Sequence, residues 1–364
     1  MTSVAATKPA VMEGGGSYNR HAGIPAGGAN VALPFLEQAV RNLALRGGDE
    51  PVVIADYGSS QGKNSLAPLR AAIRGLRARV GPQRCVFVVH IDQHTNDFNT
   101  LFDVLYSDPE RYSLDDPNVF PSAIGRSFYE TVFPPRYVDL GWCSYAAIWL
   151  SRIPARIPGH FVSLAATGEV RAAFERQGAA DWKLFLSRRA VELRPGSRLV
   201  VVLPGLSDDG GAAGFEPLFN LANAALSEMV REGLIPAGER AQMVLGSYAR
   251  RRSELLDPFL QDGQFQGLSV EHCDLSQLPD AAWADFQRDG NKEVLVSRRA
   301  AFFRAIFVPS LACAIPDPAR RLGFANQMEQ KLKQLLAVDP APLHSFVQTM
   351  VLAKATSTDG TKQG

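Results

Sequence analysis

The sequence has few cysteines, and their spacing argues against two common uses of that residue. Its 364 residues contain four cysteines, and no two of them form a C-x-x-C pair. They are Cys85, Cys143, Cys273 and Cys313. Closely spaced cysteines mark a disulfide framework or a structural zinc site. We therefore expect neither, and we expect thiols that stay reduced.

The chain also lacks long apolar runs and a surplus of charge. No stretch of about 18 apolar residues is present to form a membrane helix, and the start, MTSVAATKPAVMEGGG, has no apolar run typical of a signal peptide. The formal net charge is +1, which gives no reason to expect binding to nucleic acid or to an anionic membrane. We expect a cytoplasmic protein with a small-molecule partner, and a homodimer is a candidate assembly.

Strands and helices alternate along the first 205 residues. Short apolar runs predict strands at 51–56, 85–92, 137–144 and 197–205. Apolar residues at helical spacing predict helices at 63–80, 96–106 and 169–193, and another helix following the third strand through Trp149. This alternation indicates parallel βαβ units and therefore an α/β fold with a mostly parallel sheet flanked by helices.

After Gly214 the pattern becomes mainly helical. The stretch 215–262 reads as helices broken at Pro236 and Pro258, and 294–312 and 323–337 read as two more. The run at 267–270 is a candidate late strand. We expect residues 1–205, completed by 263–281 and 313–364, to form the α/β core, and 206–312 to form a mainly helical cap over one end of the sheet.

The segment ADYGSSQGKNS (55–65) follows a predicted strand and opens a helix. Asp56, Gly58 and Gly62 give the pattern D-x-G-x-x-x-G, whereas a dinucleotide fingerprint would need G-x-G-x-x-G. Glycines let the backbone approach a ligand, and a helix start offers free N–H groups. A carboxylate before the first glycine suits a ligand with a positive end, such as the ammonium of methionine. A tight turn that binds nothing remains the alternative.

Asp92 closes the second predicted strand. Ligands of open α/β sheets bind beyond the carboxyl ends of the strands, where an acidic residue can accept hydrogen bonds from both ribose hydroxyls. His90, Asp92 and His94 alternate along an extended segment, which raises the possibility of a metal site. No further His or Cys motif supports one, so we expect no metal.

Five segments together resemble the SABATH family of S-adenosylmethionine-dependent carboxyl methyltransferases. ADYGSSQGKNS (55–65) resembles the family's ADLGCSSGPNT turn, and IDQHTNDFNTLF (91–102) resembles its N-D-F-N segment. GRSFYETVFPPRYVDLGWCSYAAIWLSRIP (125–154) is similar to its G-S-F-Y stretch followed by S-S-Y-S-x-x-W-L-S. SEMVREGLI (227–235) and GGSY (15–18) resemble two shorter motifs. The resemblance implies a Rossmann-like class I methyltransferase fold.

The resemblance also implies a reaction and a set of site residues. The reaction would transfer a methyl group from S-adenosylmethionine to the carboxylate of a small, largely apolar acid. Cofactor contacts are implied at Tyr18, Asp56, Gly58, Asn64, Asp92, Ser127 and Phe128. Trp149 matches the tryptophan whose indole N–H touches the substrate carboxylate, and Tyr145 and Trp142 are candidate aromatic substrate contacts. An aromatic core stripe is the alternative for these three residues.

Two positions near the start depart from the family pattern. Pro25 stands where the family usually has a glutamine that also holds the carboxylate, and proline has no N–H to donate. His21 stands at a family asparagine, and it is our candidate for a replacement donor, or for a base if the acceptor is a phenol or a ring nitrogen.

Three alternatives to carboxyl methylation follow from these departures and from the glycine pattern of the turn at 55–65. One is methylation of nitrogen or hydroxyl by an enzyme of the same family, and another is a non-catalytic protein that binds S-adenosylmethionine. A nicotinamide-dependent dehydrogenase is a third, which the missing G-x-G-x-x-G pattern disfavours.

Overall fold

The computed structural model describes residues 11–206 and 214–356. The helices are α1 (Ser17–His21), α2 (Gly23–Val31), α3 (Leu33–Arg41), α4 (Leu66–Val80), α5 (Phe98–Ser107), α6 (Gly168–Glu192), α7 (Glu216–Arg231), α8 (Ala237–Arg240), α9 (Arg252–Leu256), α10 (Ala281–Asp289), α11 (Lys292–Ala312) and α12 (Pro318–Val338). The strands are β1 (Val52–Tyr57), β2 (Val86–Asp92), β3 (Val119–Gly125), β4 (Val138–Ser144), β5 (Leu193–Leu206), β6 (Arg250–Arg251), β7 (Gln264–Phe265), β8 (Leu268–Gln277) and β9 (Phe346–Lys354).

The strands form a mixed sheet that is parallel over its larger part. Their order is β3-β2-β1-β4-β5-β9-β8-β7, with β6 paired to β5 outside this path. The first five strands run parallel, β9 is antiparallel to β5, and β8 is antiparallel to β9. The predicted α/β fold with a mostly parallel sheet is confirmed, and the four predicted strands correspond to β1, β2, β4 and β5.

Helices cover both faces of the sheet, which explains why β1 is buried along its whole length. On one face α3, α4 and α5 contribute Leu36, Leu69 and Leu101 to the core. On the other face α6 contributes Trp182 and Phe185. Burial of these apolar side chains on both faces holds the carboxyl edge of the parallel strands in place. The candidate functional site lies at that edge.

The helices α7, α11 and α12 pack on one another around Leu226, Phe303 and Leu332, and we call these three helices the cap. The sequence assigned 313–364 to the α/β core, but the structure divides that range. β9 joins the sheet, whereas α12 packs in the cap. The cap therefore extends beyond 312, and the separation of the chain into two domains stays a prediction.

Four strands were not predicted, the long strands β3 and β9 and the two-residue strands β6 and β7, and one predicted helix is wrong. β3 contains Pro121, which lowers its strand signal, and it lies at the sheet edge where a missing N–H is tolerated. β9 lies between β5 and β8, far along the chain from its partners. The helix expected through Trp149 is absent, because Tyr145 has φ +57° and Trp149 forms an isolated bridge with Ser247.

No described helix combines the length and apolar character needed to cross a membrane.

Candidate active site

A cavity of about 620 Å³ lies between the carboxyl ends of the parallel strands and the cap. At one end polar residues of the strand ends line it, including Ser60, Asp92 and Ser127. At the other end it is lined by apolar and aromatic residues, including Trp149 and Phe307. This division into a polar end and an apolar end fits a polar cofactor beside an apolar substrate.

The turn from Gly58 to Gly62 forms part of the polar end. The N–H of Gly58 donates to the carbonyl of Ile91 at 2.7 Å, which ties the turn to the end of β2. Gly58 has φ +89°, and a Cβ built there would collide with the Cβ of Ala146. Glycine is therefore required both for this backbone conformation and for the close packing of the chain.

Asp92, the last residue of β2, lies beside this turn. Its two carboxylate oxygens accept hydrogen bonds from the backbone N–H groups of Ser60 and Gln93, each at 2.7 Å. Burial raises the pKa of Asp92 to about 6, and repulsion from Asp56 acts in the same direction. A half-buried carboxylate at the cavity wall can accept further hydrogen bonds from ligand hydroxyls.

Several buried polar atoms around the turn lack partners among the described residues. They are Oγ of Ser59, Oγ of Ser60 and Oε1 of Gln61. Buried polar atoms are normally paired, so these positions call for a polar ligand or for ordered water. The amino and carboxylate groups of a methionine moiety have the required chemistry. The polar end therefore fits the S-adenosylmethionine that the resemblance implies.

Ser127 and Phe128 follow β3 and also line the cavity. The ring of Phe128 packs edge-on against Phe185, with their centroids 5.9 Å apart. The carbonyl of Phe128 accepts a hydrogen bond from Arg189 at 2.7 Å. Packing and a buried hydrogen bond thus fix an aromatic face at the cavity wall, which suits a stacked base such as adenine.

Two other predicted cofactor residues lie behind the cavity wall. Asp56 and Asn64 border a small void together with Tyr18 and Gly58, and these last two residues also line the main cavity. Oδ2 of Asp56 accepts from the hydroxyl of Ser65 at 2.6 Å. Asp56 therefore lies behind the Gly58 turn and is absent from the lining of the main cavity, and its contact with the cofactor stays a prediction.

At the apolar end the structure brings Tyr145 and Trp149 together on the cavity wall. The hydroxyl of Tyr129 donates to the carbonyl of Trp149 at 2.6 Å, which fixes the backbone that carries the indole ring. The hydroxyl of Tyr145 is buried and has no hydrogen-bond partner among the described residues. Its ring packs so close to Gly28 that a Cβ at that position would overlap it. The indole N–H of Trp149 is thus a donor at this end, and the unpartnered hydroxyl of Tyr145 lies buried beside Gly28.

Aromatic residues of the cap complete the apolar end, and the sequence did not identify them. The ring of Phe307 on α11 lies 6.3 Å from Trp149 and 5.2 Å from Phe219 on α7, measured between centroids. Phe215 and Phe302 also line the cavity. The sequence showed an apolar face on 294–312, but it gave no signal for which residues of that face meet Trp149.

The structure does not bring His21 and Trp142 to the main cavity. His21 is absent from the described lining, and burial together with Arg20 lowers its pKa. Trp142 is 1 % exposed within β4 and borders only the small void near Asp56. Pro25 lines the cavity, as its match to the family position implies.

The N-terminal residues form one wall of the cavity. Glu13 links α11 to the Gly58–Gly62 turn, because its N–H donates to Ala305 and its carbonyl accepts from the side chain of Gln61 at 2.7 Å. Its carboxylate also pairs with Arg304 at 2.9 Å. This segment therefore connects the cap directly to the polar end.

No group of three or more His, Cys, Asp and Glu side chains suited to a metal occurs among residues 11–206 and 214–356. The ring nitrogens of His90 contact Asp56 and the hydroxyl of Tyr112, at 2.9 and 2.8 Å, so neither is free to bind a metal. The expectation of a metal-free reaction stays a prediction.

Comparison with known proteins relates the chain to methyltransferases. A family model described as SAM-dependent carboxyl methyltransferase matches residues 8–354. Methyltransferase LUC1 of Fusarium sp is 29 % identical over 245 residues, which cover 66 % of this chain and 63 % of that protein, less than two thirds of its length. The salicylate carboxymethyltransferase of Clarkia breweri is 28 % identical over 298 residues, covering 77 % of this chain and 79 % of that protein.

One solved structure shows the same fold over almost the whole chain. It is a loganic acid methyltransferase with SAH, which has a TM-score of 0.75 at 21 % sequence identity. The match covers 96 % of this chain and all of the other.

Proposed function

The chain belongs to the SAM-dependent carboxyl methyltransferases, and on that premise we propose that it esterifies a small organic acid with a largely apolar body. S-adenosylmethionine is the methyl donor of this family. The acceptor would lie at the apolar end of the cavity, between Trp149 and the aromatic residues of the cap.

One observation carries the choice of a carboxylate acceptor. Among the described residues that line the cavity, the charged ones are Asp92, Asp97 and Glu130, and none is Lys, Arg or His. Asp92 and Asp97 accept backbone hydrogen bonds, and Glu130 is exposed. An acceptor that had to lose a proton would find no base at the apolar end, whereas a carboxylate, with a reference pKa of about 4, is already ionised.

The residues of the apolar end would orient the acid and exclude water. We propose that the indole N–H of Trp149 donates a hydrogen bond to the substrate carboxylate. The unpartnered hydroxyl of Tyr145 would be a second donor, in place of the missing family glutamine. Aromatic walls contributed by Phe219 and Phe307 would hold the apolar body. Correct orientation of two reactants is worth up to about 7–11 kcal/mol, so positioning can supply much of the rate enhancement.

The polar end would hold the cofactor. We propose that Asp92 accepts hydrogen bonds from the ribose hydroxyls and that Ser127 and Phe128 border the adenine. Tyr18, Gly58 and the atoms around Asn64 would enclose the methionine end, with the charge of Asp56 favouring its ammonium. When bound, S-adenosylmethionine supplies the methyl group and an adjacent sulfonium charge.

A panel of acceptors with a labelled methyl donor tests this proposal. Each acid, such as benzoate, phenylacetate or hexanoate, is compared with the amide and the alcohol of the same carbon skeleton. We expect label on the acids alone, released as methanol by mild alkali because an ester is hydrolysed and an ether or N-methyl group is not.

Two results would contradict the proposal. Alkali-stable label on phenols or ring nitrogens, with no acid accepted, would favour the other methyltransferases of the family. Calorimetric binding of S-adenosylmethionine without transfer to any acceptor would favour a non-catalytic binding protein.

The affinity for the cofactor should depend on pH through Asp92. Its pKa of about 6 means that it gains a proton as the pH falls through that value. A ribose that hydrogen-bonds to the carboxylate favours the ionised form, so affinity is present above this pKa and lost below it. We expect the Kd for S-adenosylhomocysteine to rise up to about tenfold between pH 7 and pH 5, measured by calorimetry. A Kd that stays constant over this range would contradict the role of Asp92.

We further propose a cytoplasmic location for the enzyme. No disulfide joins any two of the four cysteines, all of which lie in the described ranges, as expected for a reducing compartment. Fractionation of cells that produce the protein tests this location, and light scattering of the purified protein tests the candidate homodimer.

A further inference from the structure

Behind the Gly58–Gly62 turn lies a chain of four hydrogen-bonded side chains. Oδ2 of Asp56 lies 2.6 Å from the hydroxyl of Ser65 and 2.9 Å from Nδ1 of His90. Nε2 of His90 lies 2.8 Å from the hydroxyl of Tyr112. The four side chains are between 0 and 5 % exposed. A chain of polar groups this deeply buried is costly unless every member is paired.

The hydrogen bonds among these four side chains can be assigned so that every donor points toward Asp56. Tyr112 has an O–H to donate to Nε2 of His90, which leaves the N–H on Nδ1 to donate to Asp56. Ser65 donates to the same oxygen of Asp56. In this arrangement Nδ1 of His90 donates to the carboxylate of Asp56, and Nε2 accepts from the hydroxyl of Tyr112.

The four hydrogen-bonded side chains connect three separate parts of the fold to the cofactor end. His90 on β2 is directly paired with Asp56 on β1 in the sheet, and Tyr112 lies in the loop between α5 and β3. Asp56 borders the small void that Tyr18 and Gly58 separate from the main cavity. The orientation of the Asp56 carboxylate therefore depends on a side chain that never reaches the cavity.

We propose that His90 is a positioning residue of the methyl-donor site, which holds the Asp56 carboxylate behind the amino-acid end of the cofactor. The proposal rests on the role of Asp56 assigned above. Without the N–H of His90, one of the two donors to a buried carboxylate is lost, and the side chain is free to turn or to take up a proton. Ligands that carry the amino-acid end would then bind more weakly, whereas ligands that lack it would not.

The test compares two ligands on three variants by calorimetry, without an acceptor. S-adenosylhomocysteine carries the amino-acid end, and 5′-methylthioadenosine keeps the adenosine and lacks that end. For His90→Leu, which removes both hydrogen bonds, we expect a Kd about tenfold higher for S-adenosylhomocysteine and within about twofold of the original for 5′-methylthioadenosine. His90→Asn keeps an N–H near Asp56 and should restore most of the lost affinity.

If His90→Leu does not fold, Tyr112→Phe tests the same proposal. It deletes one hydroxyl, keeps the ring, and should weaken S-adenosylhomocysteine about two- to threefold with no effect on 5′-methylthioadenosine. Equal weakening of the two ligands, or no change in either, would overturn the proposal. Failure of the unaltered protein to bind S-adenosylhomocysteine would instead overturn the proposed function, so the two failures are distinguishable.

Discussion

Replacement of Asp92 with alanine is expected to weaken the binding of S-adenosylmethionine by roughly 1.5–3 kcal/mol, or about 10- to 150-fold. The carboxylate lies at the end of β2 on the cavity wall, where it can accept hydrogen bonds from both ribose hydroxyls. Because hydrogen bonds to a charged acceptor are stronger than those between neutral groups, their loss should exceed the effect of any single neutral contact in the site. Calorimetry with S-adenosylmethionine measures the change directly.

The same substitution leaves the N–H groups of Ser60 and Gln93 without their acceptor, so its effect on folding must be measured separately. Thermal unfolding without ligand gives that loss. Asp103→Ala is a matched control, because Asp103 is an exposed carboxylate on the nearby helix α5. We expect the control to bind like the original protein. Unchanged affinity in the Asp92 variant would remove this residue from the cofactor site.

Replacement of Trp149 with phenylalanine is expected to lower kcat/KM for the acid by about 10- to 150-fold. Phenylalanine keeps an aromatic ring against Phe307 and deletes the indole N–H, which we assign to the substrate carboxylate. A hydrogen bond to a charged group is worth about 1.5–3 kcal/mol, which corresponds to a change of this size. Steady-state kinetics with the best acid of the panel measures it.

The division of this loss between KM and kcat shows when the contact is made. A contact present equally in the bound substrate and in the transition state raises KM alone, whereas one that strengthens during transfer lowers kcat as well. Trp283→Phe makes the same chemical change on α10, outside the cavity lining, and should leave the kinetics unchanged. A Trp149 variant with the kinetics of the original protein would contradict the proposed hydrogen bond between Trp149 and the substrate carboxylate.

The cofactor end could be predicted from the sequence because its signals are local. Residues 51–80 contain a strand, a glycine turn and a helix that follow one another directly in the sequence. The pattern around Gly58 can therefore be identified without knowing any contact with a distant residue. Asp92 was predicted at the ligand-binding edge for the same reason, since it ends a strand in a predicted parallel sheet, and its contact with the cofactor stays a prediction. Asp56 was predicted to contact the cofactor as well, but the sequence did not reveal that it lies behind the turn.

The acceptor end could be predicted only in part. Trp149 was identified through the family resemblance, yet the helix expected around it is wrong, because the left-handed conformation of Tyr145 is set by packing against other parts of the chain. Phe219 and Phe307 lie about 70 and 160 residues beyond Trp149, and only the packing of α7 and α11 brings them to it. No local pattern reports such contacts. His21 was proposed from its position in the chain, and the structure places it outside the described lining.

The separate origins of the two cavity ends have a consequence for how such an enzyme can diversify. We propose that the cofactor is held by strand ends and turns of the sheet, whereas Phe219 and Phe307 belong to helices of the cap. Substitutions of Phe219 and Phe307 can therefore reshape the acceptor end while the contacts of Glu13 with Ala305 and Arg304, which tie α11 to the polar end, stay in place. A lineage with this architecture can change the acid it modifies while it inherits the rest of its chemistry intact.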